Sequence, residues 1–291
     1  MRFKANLTNP TALHKIAQTF EKLGSTCIVA LSNSTVQLIK LRDSDSGVQG
    51  WTKFDPSLIF QAFRIESAYN NHIYLSLAID DLVRATRTAQ QCSDIQLALR
   101  KKRNTTILDW SMVTQNRGGS TTIIGQEICV SLIPHDRWRT FREPLFGGYP
   151  DSYIRLPDLL TLKSSASRLK SLSKYLIISA NMEGTLRLRV ETDLVQCESI
   201  YHHLENPRIE NYTPSSDPAD FQSVKISSED FVNILNSHHL DPVRTVCAIH
   251  DKHQVTFYVY VDLEAHQSNP TFALAGTQET SVTFHLPVYH N

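Results

Sequence analysis

Few residues in this chain are spaced for catalysis. Asp80 and Asp81 are adjacent carboxylates, but helix neighbours diverge by about 100° and cannot converge on one substrate atom. Negative charge at a helix start accounts for them better. His202-His203 and His238-His239 are adjacent pairs with no Cys or acidic ligand set beside them, which is not the pattern of a metal site. The five cysteines, Cys27, Cys92, Cys129, Cys197 and Cys247, form no CxxC pair and are odd in number. Cys27, Cys129, Cys197 and Cys247 lie in apolar runs, so they are expected as reduced thiols packed like small hydrophobes. The GxxxxGKS/T phosphate loop, the HExxH motif and the GxSxG nucleophile elbow do not occur. No catalytic residue, cofactor or metal is therefore expected.

Cations at helical spacing point to other chemistry. Lys15 and Lys22 are seven positions apart and project from one side of a helix, opposite Leu13, Ile16 and Phe20. Lys163 and Lys170 repeat that spacing opposite Leu162, Ala166 and Leu169, with Arg168 nearby. Arg84 and Arg87 hold the polar side of another helix, against Leu82, Thr86 and Ala89. Cations gathered on one surface can meet phosphates without reading bases. The competing reading is a solvated helix face, and a fourth helix, expected over residues 228–236, has no Lys or Arg. The run Arg100-Lys101-Lys102-Arg103 is expected in a solvated hairpin turn, with DNA contact or nuclear import as other readings.

The elements that must position these residues are legible in the pattern. A chain of 291 residues with 41% hydrophobic and 20% charged residues suits two globular domains. Lys+Arg and Asp+Glu both number 29, so a nucleic-acid partner must be met by a local patch. The N-terminus lacks the apolar core of a secretory signal, and no apolar run could span a bilayer, so cytosol or nucleus is expected. A strand at 2–7 precedes a helix opened by Asn9-Pro10 and stopped by Gly24. Strands follow near 26–31, 35–41, 48–54, 62–66 and 72–77, then a helix over 80–91 and strands at 95–101, 105–114 and 121–133. Residues 134–150, with three prolines, two adjacent glycines and several aromatics, read as an extended connector packed on a surface. Then the order restarts: strand 152–156, a helix from Pro157-Asp158, strands 175–180, 185–190, 194–201 and 222–226, helix 228–236, and strands 243–249, 254–261 and 281–288. The stretches 206–220 and 264–280 read as polar inserts. The class is α+β, two duplicated domains with helices on one face of antiparallel sheets, divided as 1–133, connector 134–150 and 151–291.

Matching positions support the duplication. An offset of 148 residues separates Lys15 from Lys163 and Lys22 from Lys170. The run from Ala78 to Val83 maps onto Ser227 to Val232 at an offset of 149. A period this long means two copies of one domain, not a solenoid.

Four stretches then carry a family resemblance: Arg2-Phe3-Lys4-Ala5; Ile73-Tyr74-Leu75, Leu77, Leu82, Arg84-Ala85 and Arg87-Thr88-Ala89-Gln90; Ile133-Pro134, Trp138-Arg139 and Glu143-Pro144; and Gly184, Leu186, Leu188, Glu191-Thr192 and Leu194-Val195. The chain resembles eukaryotic sliding clamps and, among them, the Hus-one family of the DNA-damage checkpoint clamp. The resemblance implies the DNA-clamp (processivity-factor) fold in a ring of three different subunits, with helices lining the hole. Lys15, Lys22, Arg84, Arg87, Lys163, Arg168 and Lys170 would then face double-stranded DNA without sequence specificity. The strand near 122–132, with Ile124, Ile128 and Val130, would pair with one neighbour. The strand near 193–201, with Leu194, Val195 and Cys197, would pair with the other. Trp138, Phe141 and Phe146 in the connector would dock client proteins of repair and checkpoint signalling. An ATP-dependent clamp loader would place the ring on DNA in the nucleus. The replication clamp of the same group is strongly acidic, whereas this chain is neutral. The other readings are a homotrimeric clamp of that kind, a protein scaffold that never encircles DNA, and a repair enzyme.

Overall fold

Alternating burial makes the first strand, β1 (Arg2–Leu7): Phe3, Ala5 and Leu7 turn inward while Arg2 and Lys4 face solvent. The computed structural model describes residues 1–290 except 43–46, 116–119, 145–147, 208–216 and 264–279. Contacts divide the chain into two units. One holds the described residues of Met1–Lys40, Trp51–Glu143 and Leu263–Thr280, the other those of Leu41–Gly50, Pro144–Asp262 and Ser281–Asn291.

In the first unit β1 leads to α1 (Pro10–Glu21), β2 (Thr26–Leu31), β3 (Val36–Lys40), β4 (Gln49–Phe54), β5 (Phe60–Glu66), β6 (Ile73–Ala78), α2 (Ile79–Ala89), β7 (Asp94–Lys102), β8 (Thr105–Gln115) and β9 (Thr121–Leu132). Its strands lie in the order β4-β3-β2-β6-β9-β8-β7-β1-β5. The inner faces of β1, β2, β3, β6, β7 and β8 meet α1 and α2 around a residual void of about 40 Å³, lined among others by Phe3, Leu13, Leu38, Leu82 and Trp110.

The second unit runs β10 (Ser152–Arg155), α3 (Leu159–Lys170), β11 (Tyr175–Ala180), β12 (Leu186–Glu191), β13 (Gln196–Tyr201), β14 (Gln222–Ser227), α4 (Ser228–Ile234), β15 (Arg244–His250), β16 (Gln254–Val261) and β17 (Thr280–Leu286). β13-β12-β11-β14 form one sheet, and β10-β15-β16-β17 lie in order in another. Leu162, Leu169, Phe231 and Phe257 are buried between helices and strands, with the Phe231 and Phe257 rings 5.6 Å apart.

Strand pairing repeats the duplication. β2 lies between β3 and β6 as β11 lies between β12 and β14. β7 lies between β1 and β8 as β15 lies between β10 and β16.

Local chemistry shifts several expected boundaries. The fourth helix stops at Ile234 and continues as a 3₁₀ turn over Leu235–Leu240. There the Asn236 amide donates back to Val232 O at 3.2 Å and Asn233 O at 3.0 Å, competing with the helical ladder. β13 begins at Gln196, not at 194, because Thr192 closes a turn in front of it. Thr192 N donates to Val195 O at 2.9 Å, and Val195 N donates to Thr192 Oγ1 at 3.0 Å. The connector is not wholly irregular, since His135–Thr140 wind into a 3₁₀ turn. All five cysteines are free thiols. Cys27 and Cys247 are buried as expected, and burial pushes the Cys27 thiol up to about 12. Cys129 is exposed and Cys197 half-buried, so the expectation of core packing is corrected for both.

Candidate functional site

The helix face of the first unit is built from its caps inward. Asn9 caps α1 by accepting from Ala12 N at 3.0 Å, with Pro10 in the first turn. Ala12, Leu13, Ile16, Ala17 and Phe20 are buried, which leaves Lys15 half-buried and Lys22 exposed beyond the last turn. Lys22 Nζ lies 3.2 Å from Glu21 Oε2. In α2, Asp80 and Asp81 occupy the first turn and Arg87 the last, each complementing the helix dipole. Arg84 pairs with Asp81. Arg87 is exposed and has no carboxylate partner among the described residues.

α1 and α2 pack together and are pinned by a buried polar contact. His14 Nδ1 lies 2.9 Å from Thr86 Oγ1, and Thr86 gives its own proton to Leu82 O at 2.8 Å. Burial, with the Arg87 guanidinium second, lowers the His14 pKa. Protons then prefer the unfolded chain, in which histidine titrates near about 6.5. This contribution to stability is complete above that pH and is lost as pH falls below it toward the lowered folded value. Urea titrations at neutral and mildly acidic pH should show a loss of stability that His14→Gln makes smaller. A loss of equal size in that variant would remove His14 from the account.

The second unit repeats the face with fewer charges. Asp158 caps α3, accepting from Thr161 N at 2.9 Å and Thr161 Oγ1 at 3.0 Å. Those bonds hold its carboxyl below the usual range. Lys163 Nζ donates to Asn236 Oδ1 at 2.8 Å. Lys170 Nζ lies 3.3 Å from Glu229 Oε1. Arg168 is exposed, with no carboxylate partner among the described residues. α4 contributes Glu229 and Asp230 in its first turn and no cation; burial, then Glu229, raises the Asp230 pKa. Within each unit the cations thus lie on the exposed side of packed helices, and several already hold an acid. Exposed ion pairs of this kind contribute about 0–1 kcal/mol, so a phosphate could displace the carboxylate.

Each unit also presents a strand with an open side. Among the described residues β9 pairs with β8 over Thr121–Val130 and with β6 only at Val130–Leu132. Residues Thr121–Cys129 therefore have one neighbour among the described residues. Ile124 is half-buried on this stretch, but Ile128 and Val130 are buried at 1% and 6% exposure. Their side chains fill the core, and this corrects the expectation that they face a neighbouring subunit. Ile123, 71% exposed, and Cys129 hold the outward positions. Among the described residues β13 pairs only with β12, with Cys197 half-buried on it. Leu194, 94% exposed, and Val195 lie in the turn before β13, not on the strand. Unpaired strand edges invite pairing with another chain.

The connector's aromatics are engaged with the first unit. Trp138 donates its indole N–H to Ile133 O at 2.9 Å. Its ring lies 4.5 Å from Tyr74, 5.6 Å from Tyr69 and 4.8 Å from His135. Phe141 reaches Tyr74 at 6.0 Å. Trp138 and Phe141 thus anchor the start of the connector on β6 and the turn before it. Tyr69 and His135 carry no signal of this role in the sequence, and Tyr74 appears there only within the family resemblance. Phe146 lies outside the described residues.

Two paired-helix units, each backed by antiparallel sheet and each with an open strand, define the class. The chain has the sliding-clamp fold: it matches the crystal structure of proliferating cellular nuclear antigen from Entamoeba histolytica with a TM-score of 0.69 and 9% identity, covering 99% of both chains. Within that fold the family is given by sequence. Residues 1–290 match the family model described as Hus1-like protein, and the chain belongs to this family. It is 29% identical to the human checkpoint protein HUS1 over 88% of this chain and 94% of that protein. It is likewise 29% identical to the checkpoint protein hus1 of Schizosaccharomyces pombe, over 90% of this chain and 93% of the relative. A Dictyostelium discoideum homologue is 28% identical over 90% and 96%.

Proposed function

We propose that this chain is one arc of a ring of three different subunits that encircles double-stranded DNA in the nucleus. It acts without catalysis, as a platform for repair and checkpoint proteins, and an ATP-dependent loader places the ring on DNA. Residues 1–133 and 151–291 serve as the two clamp domains, joined by residues 134–150. The exposed cations of α1, α2 and α3 meet phosphates, and the connector carries client docking beyond its anchored start.

The open strands carry this reading. Among the described residues, β9 along Thr121–Cys129 and β13 each lack a neighbour on one side, and both lie beside exposed apolar side chains, Ile123 and Leu194. Pairing with two different chains satisfies both of these edges.

Mass measurement in solution tests it. The purified chain alone is expected as a monomer that joins two sister subunits one to one to one. Leu194→Asp and Ile123→Asp should each weaken that complex by about tenfold or more while the monomer stays folded, because both side chains are exposed in it. A self-assembled trimer would indicate a replication-type clamp. A monomer indifferent to both sisters would leave a scaffold, a reading that the absence of cations from α4 favours.

A further inference from the structure

The face of the first unit's sheet that turns away from the helices carries its own charge pattern. On β1, Phe3, Ala5 and Leu7 enter the core, so Arg2 and Lys4 point outward. Register then sets the outward neighbours. Lys4 lies opposite Arg64 of β5 on one side and opposite Ala98 of β7 on the other. Arg100 and Lys102 follow Ala98 on the same face of β7. All five cations are exposed.

Three acids of this face are paired with its other cations. Glu66 lies 3.7 Å from Arg2, Asp109 3.0 Å from Arg100, and Glu127 2.7 Å from Lys102. Lys4 and Arg64, on the two outermost strands of this end of the sheet, are directly opposed and without a carboxylate partner among the described residues. Like charges in direct cross-strand contact destabilise a sheet. Their only other in-register neighbour is Ala98, which is small and leaves the surface above them open.

The strand that presents Arg64 is itself distorted. Between Lys4 and Asn6 the register slips, so that Ala62 and Phe63 together face Ala5. Ala62 takes a φ of 50°, a left-handed conformation that strains a non-glycine residue. Bulges of this kind re-aim side chains beside sites. A repulsive pair on a strained strand is poorly explained by folding alone.

We propose that this sheet face, centred on Lys4 and Arg64, docks an acidic segment of a partner protein. The acids beside it favour a peptide over DNA, since an unbroken phosphate chain crossing the face would meet Glu66, Asp109 and Glu127. The site is separate from the helix faces assigned to DNA and stands whether or not the ring forms.

The test uses the full chain at low salt with two labelled probes, a deca-glutamate peptide and a short DNA duplex. Arg64→Glu places an acid opposite Lys4. It is expected to cut peptide affinity by about tenfold or more, to leave duplex binding unchanged, and to leave the melting temperature equal or higher. Arg64→Gln should act in the same direction and serves if the reversal fails to fold. Lys170→Glu, on the helix face of the other unit, should leave peptide binding unchanged. Undetectable peptide binding by the unaltered chain, or equal affinity after Arg64→Glu, would overturn the proposal. Equal losses from Lys170→Glu would move the peptide to the helices, and loss of duplex binding alone would make the sheet face a nucleic-acid surface; either result overturns it as well.

Discussion

Gly184→Ala is expected to destabilise the chain by about 3 kcal/mol, lowering its melting temperature by about 5–10 °C. Gly184 ends the turn between β11 and β12 with a φ of +77°. The neighbouring positions are tied by Asn181, whose Oδ1 accepts from Glu183 N at 3.2 Å and from Thr185 N at 2.9 Å. The turn therefore cannot relax into a conformation that suits alanine. A Cβ at this position would lie 2.2 Å from Leu204 O and 3.2 Å from Leu204 N. These are backbone atoms and cannot rotate away. Retreat of Leu204 would break its N–H bond to Gly184 O, now 2.9 Å long. The cost combines about 1–2 kcal/mol for left-handed alanine with about 1 kcal/mol for the lost hydrogen bond and the residue of the clash. Leu204 follows the end of β13 closely, so the same change should also weaken assembly through that strand. Gly125, where an added Cβ would meet nothing within 4 Å, offers the control: Gly125→Ala should be nearly neutral. Urea unfolding of both variants decides the matter, and a Gly184→Ala penalty below about 1 kcal/mol would show that the segment at Leu204 yields freely.

Much of this architecture is legible in the sequence because it rests on local signals. Asn9-Pro10 and Asp158 cap helices in the structure as their residue types predict, and the repeated lysine spacing marks two helices at corresponding places. The apolar runs identify strands, and the dense match around Arg84 to Gln90 identifies the family. What the sequence leaves open depends on contacts between distant residues. Ile123 and Ile124 stand side by side in β9, so alternation alone assigns no face. Only pairing with β8 and β6 sends Ile128 and Val130 inward and leaves Ile123 and Cys129 outside. Leu194 reads as the start of a strand until the Thr192 side chain is seen closing the turn in front of it. The ion pair of Lys170 with Glu229 and the bond from Lys163 to Asn236 join helices far apart in sequence. The opposition of Lys4 and Arg64 follows from strand register, and the bulge beside it has no glycine to announce it.

Those long-range pairs set the size of the largest effect expected on DNA. Replacing Lys22, Arg87, Arg168 and Lys170 together by glutamine should lower the affinity of the assembled ring for duplex DNA by up to about a thousandfold near 0.1 M salt. Each phosphate contact adds about 0.9 to the slope of log affinity against log salt, so the slope should fall by about three to four. The four residues should not contribute equally. Lys22 and Lys170 lie at 3.2 Å and 3.3 Å from Glu21 and Glu229, and a phosphate must displace those acids first. Arg87 and Arg168 hold no such partner among the described residues, so their replacement should cost more. By the same logic Glu21→Gln and Glu229→Gln should tighten binding a few-fold, by releasing a cation and removing a repelling charge. The melting temperature should change little, because all four cations are exposed and exposed ion pairs contribute little to stability. Titrations over a range of salt, on linear and closed circular DNA, separate the outcomes. An unchanged slope in the fourfold variant would take the helices off the DNA. Retention on closed circles that the variant abolishes, together with tighter binding by the glutamine variants, would fix the phosphate-facing surface on the exposed side of these helices.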